Sequence, residues 1–432
     1  MTDTTLAFTF VFAAALVVGL LTRFYLASRQ VRHVMRHRDQ VPAAFAGTIA
    51  LTSHQKAADY TVTKARFGMF EIAFGAAVLL GWTLLGGLDS LNRAISASGL
   101  GDYGVLAPQI ALIAAFALIG GLLELPWTLY STFKIEERFG FNQTSLKLWF
   151  TDLLKSTLLG VVIGLPLVAM MLWLMGSTGR FWWLWAWGAW MVFNLLVLTL
   201  YPTLIAPLFN KFKPLDDEAL KARVTALMQR CGFAAKGLFV MDGSRRSAHA
   251  NAYFTGFGAA KRVVFYDTLL KQLNPDEVDA VLAHELGHFK HKHIIKRVLS
   301  LFGLSLIGFA LLGWLSSQSW FYTGLGVMPN VGGGNEAIAL LLFLLVVPLF
   351  SFFVSPVMAR FSRKHEFEAD AYAVSQTGAQ DLRSALLKLY QDNASTLTPD
   401  PVFAKFYYSH PPASERLGRM TLAPLQAAGV AP

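Results

Sequence analysis

Seven stretches of about twenty mostly apolar residues divide this chain, and no other feature limits its fold as strictly. They run from about Leu6 to Leu26, Phe67 to Leu88, Val105 to Tyr130, Leu153 to Met175, Phe181 to Ile205, Ile294 to Ser316 and Ala337 to Met358. Each is long enough to cross the hydrocarbon core of a bilayer as a helix. Composition agrees: 54% of the 432 residues are hydrophobic and 15% charged, too little charge to clothe a soluble surface of this size. The first stretch lacks a basic leader and a small-residue cleavage site, so it reads as a retained span. Tryptophans crowd the start of the fifth (Trp182, Trp183, Trp185, Trp187, Trp190), as they do where a helix meets the membrane interface. The predicted fold class is a predominantly α-helical membrane protein with seven transmembrane helices.

A net charge of +10 could point to nucleic acid, but the basic residues gather at the ends of the apolar stretches, so no nucleic-acid partner is expected. None precedes the first span, seven lie between Ala27 and Arg66, and the turn from Ser317 to Glu336 has none. The positive-inside rule then puts the N-terminus outside, and the C-terminus and the long segment after span five in the cytoplasm. Four regions follow: a five-span membrane region (1–205), a polar segment (206–293), a two-span hairpin (294–360) and a C-terminal cytoplasmic segment (361–432). The loop from Ala27 to Arg66 is expected to be helical and near the interface. Leu238 to Met241, Asn251 to Phe257 and Val263 to Tyr266 read as short strands between Gly-rich or basic turns. Cys231 is the only cysteine, so there is neither an internal disulfide nor a cysteine-rich metal site.

The chemistry sits at His284-Glu285-Leu286-Gly287-His288. Asn274-Pro275-Asp276-Glu277 opens the helix that carries it: a cap residue, proline in the first turn, and acidic residues at the positive end of the dipole. Positions i and i+4 lie about 40° apart on a helix, so both imidazoles face one point, as two ligands of a tetrahedral zinc require. Glu285 sits one position round, placed to act as general base without being a ligand. Composition alone would produce HExxH in about one shuffled chain in 170.

A catalytic zinc needs three protein ligands and an open position. His365-Glu366-Phe367-Glu368-Ala369-Asp370 follows span seven, and HELGH precedes span six. The intervening two-span hairpin returns the chain to the same membrane face, so Glu366 is expected beside His284 and His288 as third ligand. Asp370 shares the face of Glu366 and is placed to accept the free ring N–H of a ligating histidine. Glu368 is the rival ligand, but it points about 200° away from Glu366. His291 and His293 lie among lysines at the membrane boundary, where a solvated interfacial role is expected.

At these residues the chain resembles the type-one CAAX prenyl endopeptidases, membrane-embedded zinc metalloproteases. The shared stretches include Ile135 to Asn142, Pro207 to Phe212, Ser247 to Tyr253, HELGH, Glu366 to Asp370, and Ser409-His410-Pro411-Pro412. The resemblance implies seven helices enclosing a water-filled chamber, capped by a zincin-like α+β domain on the cytoplasmic side. It implies one zinc per chain and endoproteolysis near the C-terminus of prenylated or otherwise lipid-anchored substrates. By position it assigns Asn251 to a substrate-binding strand and His410 to the substrate or developing oxyanion. Phe289 stands where many members have tryptophan. The stretch Gln426 to Pro432 shows no dilysine-like retrieval signal, which points to a bacterial inner membrane.

The expected activity is thus metal-assisted peptide hydrolysis by His284, His288 and Glu366 with Glu285 as base, assisted by Asn251 and His410. A quality-control protease for damaged membrane proteins would share all these residues. A transporter would need paired charges inside the spans, and Glu71, Glu124 and Lys155 are few and near the ends. A zinc-stabilised scaffold would have no use for Glu285.

Overall fold

The computed structural model describes residues 2–234, 236–255 and 262–427. Among them, six helices are long and apolar enough to cross a membrane: Asp3–Arg36, Leu51–Trp82, Leu106–Glu136, Leu146–Ser177, Gly179–Phe209 and His293–Leu315. A seventh arises if Glu336–Ser351 and Ser355–Thr377, bent by 66° at the break between them, count as one.

Three boundaries differ from expectation. The stretch Ala27 to Arg66 holds no separate interfacial helix; its helical residues mostly extend spans one and two. The first helix therefore has 34 residues, about 50 Å against a hydrocarbon core of about 30 Å. Its far end reaches the C-terminal segment, where Arg29 pairs with Asp400 at 3.0 Å. Span two stops at Trp82 rather than Leu88, and Gly86, at φ +77°, opens the next short helix. Span seven stops at Ser351 rather than Met358. Pro348 and Pro356 flank the break, and apolar character continues through it, so hydropathy alone could not show it.

The spans come together in one shared buried cluster at one end. Phe12, Trp82, Leu112, Leu172, Trp182, Leu312 and Ile338, one from each span, belong to a single buried cluster. Each lies near the end of its helix that is remote from HELGH. Towards HELGH the helices leave space. A cavity of about 500 Å³ between Leu16, Gly75 and Leu345 adjoins one of about 910 Å³, sharing Arg23, Gly68 and Ile72. A third, of about 730 Å³, shares Tyr60 and Lys64 with the second. The seven-helix chamber expected from the resemblance is therefore present.

Over the open end sits an α+β layer with its own core, where Val278, Leu282 and Leu286 pack with Phe265, Leu227 and Ala373. Its sheet has the order β1-β2-β4-β3: β1 (Phe212–Pro214), β2 (Gly237–Met241), β3 (Ala252–Thr255) and β4 (Arg262–Tyr266). The central pair β2 and β4 is parallel; β1 and β3 flank it antiparallel. The first of these strands was not expected. The third begins one residue after Asn251, and the expected end of that strand, residues 256 and 257, lies outside the described residues. So do residues 428–432 of the C-terminal stretch.

Candidate active site

The helix Pro275–Lys290 starts as its sequence dictates. Glu277 N–H donates to Asn274 Oδ1 (2.9 Å) and Asn274 N–H to Glu277 Oε2 (2.8 Å), a reciprocal cap with proline in the first turn. Ser384 and Lys388 also donate to the Glu277 carboxylate, at 2.6 and 2.7 Å, tying this helix to Ala379–Asp392. Burial alone would raise the Glu277 carboxyl, but these bonds outweigh it and hold it below its usual range.

At His284, ten residues after Asn274, the expected three groups meet. His284 Nε2 lies 3.3 Å from His288 Nε2. Glu366 Oε2 is 3.6 Å from His284 Nε2, and Glu366 Oε1 is 3.4 Å from His288 Nε2. Glu366 is buried, and its Oε2 has no hydrogen-bond partner. Three buried or half-buried residues so arranged could hold one metal ion. Glu366 arrives on Ser355–Thr377, which the 66° bend lays across the HELGH helix.

Asp370 stands where expected, its Oδ1 2.9 Å from His284 Nδ1. Arg416, which the sequence reading missed, donates from Nε to Asp370 Oδ2 at 2.8 Å and is itself buried. Burial would push the Asp370 carboxyl up; Arg416 and His284 hold it down at about 2. Burial pushes the Glu285 carboxyl up to about 7, with His284 pulling the other way. It lowers His288 to about 4, and His284 adds to that effect.

The remaining candidates separate. His410 Nε2 lies 3.5 Å from Glu366 Oε1, on the rim of the site. Asn251 lines the 910 Å³ cavity together with His410 and Arg416, and its carbonyl accepts from Tyr266 N–H at 3.0 Å. Glu368 does not join the ligand set; it faces His293 at 2.8 Å. His293 is not solvated at an interface but 4% exposed, with His291 stacked beside it at 5.5 Å. Phe289 packs on Phe233 and Phe254 at ring separations of 5.0 and 5.3 Å, where a larger indole would need more room.

Comparison with known proteins covers both halves. Residues 30–211 match the CAAX prenyl protease N-terminal domain of five membrane helices, and residues 214–422 match peptidase family M48. The CAAX prenyl protease 1 homolog of Arabidopsis thaliana is 34% identical over 407 residues, covering 93% of this chain and 95% of that protein. CAAX prenyl protease 1 of Saccharomyces cerevisiae is 32% identical over 418 residues, covering 91% and 90%. The crystal structure of S. mikatae Ste24p superposes with a TM-score of 0.88 at 30% identity, covering 96% of this chain and 99% of that one. With matches across both halves, and with a buried group of two histidines and a glutamate that could hold a metal ion, this chain belongs to peptidase family M48, as a multi-pass membrane metalloprotease.

Proposed function

We infer that the metal is zinc and that the enzyme cuts extended, membrane-associated peptides near their C-terminus, prenylated ones among them. The spacing of the three donor groups carries this reading. Tetrahedral zinc with bonds of about 2.0–2.1 Å sets its ligand atoms about 3.3–3.4 Å apart; here the two imidazole nitrogens are 3.3 Å apart, and the two oxygens of Glu366 lie 3.4 Å from His288 Nε2 and 3.6 Å from His284 Nε2. Two imidazole nitrogens and one carboxylate are the donor set of catalytic zinc, which leaves a fourth position open. Bound there, zinc supplies Lewis-acid polarisation of the scissile carbonyl and acidifies the attacking water.

The chain's own residues do the rest. Glu285 takes the proton of the attacking water and returns it to the leaving amine. Asn251 and His410, which line the same cavity, donate to the developing oxyanion. Among the described residues, no strand pairs with the outer edge of β3, so an extended peptide can add there as a further strand. The curated relatives carry CAAX prenyl protease in their names, which supports a prenylated C-terminus as substrate. The lysine and arginine distribution supports a cytoplasmic placement of the site, in a bacterial inner membrane as in any other.

The test is metal analysis of the purified full-length protein beside its turnover. About one zinc per chain is expected, lost in His284→Ala and Glu366→Ala and kept in Glu368→Ala. Glu285→Gln should keep zinc and lose turnover by about 10²- to 10⁴-fold. Zinc retained in Glu366→Ala but lost in Glu368→Ala would reassign the third ligand, and near-normal turnover by Glu285→Gln would remove the base.

A further inference from the structure

The two ligating histidines are held differently. His284 turns Nε2 to the metal position and Nδ1 to a carboxylate, Asp370. For His288 the corresponding Nδ1 meets no carboxylate. It faces another imidazole, His293 Nδ1, at 3.0 Å. The far nitrogen of that ring, His293 Nε2, lies 2.8 Å from Glu368 Oε2.

A neutral imidazole carries one N–H. If His288 gives its Nε2 lone pair to a metal, its proton sits on Nδ1 and requires an acceptor. Nδ1 of His293 is that acceptor, which places the proton of His293 on Nε2, and Glu368 accepts it there. One arrangement of protons satisfies every link. We propose that His293 and Glu368 are positioning residues for His288, fixing its ring through an imidazole relay as Asp370 fixes His284 directly. The proposal rests on His288 being a metal ligand.

The backbone is arranged for this contact. HELGH ends its helix at Lys290, and Lys292 takes a left-handed conformation (φ 56°, ψ 34°) that non-glycine residues rarely adopt. That turn starts the next helix at His293 and brings its ring back against His288. His365 stacks on His293 with centroids 4.0 Å apart and planes 14° from parallel, fixing the ring from its face. Lys364 approaches the other oxygen of Glu368 at 3.7 Å. Donor atoms of His293, His365 and Glu368 also lie within 4.8 Å of one another. Yet near-parallel stacked rings send their nitrogen lone pairs along parallel lines, which do not converge on one ion. Both nitrogens of His293 already have partners as well. The cluster is therefore a hydrogen-bond chain rather than a second ligand set.

The experiment measures zinc affinity of the full-length protein in detergent, by competition with a chromophoric chelator, beside the melting temperature of the zinc-free form. His293→Ala should weaken zinc binding by about 10- to 100-fold, the usual loss when such an outer partner is removed, with the zinc-free melting temperature little changed. His293→Asn, whose side-chain oxygen lies near the lost Nδ1, should recover part of the affinity. Glu368→Gln should weaken binding less, and should add nothing in the His293→Ala background, because the relay is already cut. If His293→Ala fails to fold, Glu368→Gln carries the comparison alone. Wild-type affinity in both single variants, or losses that simply add, would overturn the proposal. A second zinc per chain that disappears in His365→Ala would overturn it in favour of a ligand set. Wild-type zinc affinity in His288→Ala would instead remove the ligand assignment beneath it.

Discussion

A Cβ on Gly287 would stand 2.9 Å from Ala369 Cα and 3.0 Å from its carbonyl oxygen. The glycine inside HELGH is thus what lets the two ligand-bearing helices touch backbone to backbone. Gly287→Ala should force them apart at a cost of about 1–3 kcal/mol. It should also lower zinc occupancy though every ligand is intact, as metal analysis and a melting curve would show. Glu277 secures the same helix at its start. Its carboxyl is held below the usual range when folded, so its contribution is fully present above the unfolded value and is lost as pH falls through the folded one. Glu277→Gln should therefore lower the melting temperature near neutral pH, and the gap from wild type should narrow below about pH 4. HELGH, Glu366 and Asp370 were legible because i and i+4 spacing on a helix fixes their relative direction. Arg416 was not, because nothing near it in sequence shows that the helix Ala413–Ala427 returns to Asp370. His293 was misjudged because neighbouring lysines suggest solvent, whereas the left-handed turn at Lys292 buries it.

At the level of elements, six spans could be read from hydropathy because lipid demands length and apolarity together. The ends could not. Where apolar residues continue through a bend, as between Ser351 and Ser355, hydropathy has no means of registering the change of direction. Strand β1 escaped because three residues ending in Pro214 carry no alternation. The sheet edge offers its own test. Asn251 bonds across to Tyr266, so by alternation the backbone groups of Ala252 and Phe254 face the open side of β3, the Ala252 N–H there donating to Asn251 Oδ1 at 2.8 Å. A peptide bound there would be held by main-chain bonds. Substrates N-methylated at alternate positions flanking the scissile bond should show KM raised by about tenfold for each main-chain bond lost, at about 1.5 kcal/mol per bond. Methylation at the intervening positions should have little effect. Equal losses in both series would argue against pairing along β3.

Over the whole molecule, a chamber that borders the candidate site at Asn251, His410 and Arg416 would, on the proposed function, select substrates by how they enter as well as by side chain. A short flexible peptide bearing an apolar anchor should be cut faster than the same peptide without it, since the anchor concentrates it at the membrane. A tightly folded soluble protein should resist, and a matched assay of the three would decide; efficient cutting of the folded protein would point to an open site. The packing of all seven spans at the end remote from the metal has a further consequence. A tunnel can be threaded, with chain fed in at one mouth and fragments discharged from the other. A cup cannot. A chain entering from the open end meets this packed cluster and goes no further along the helix axis, so on the proposed function cutting falls within a fixed reach of the rim. On the proposed function, such an architecture suits a trimmer better than a shredder.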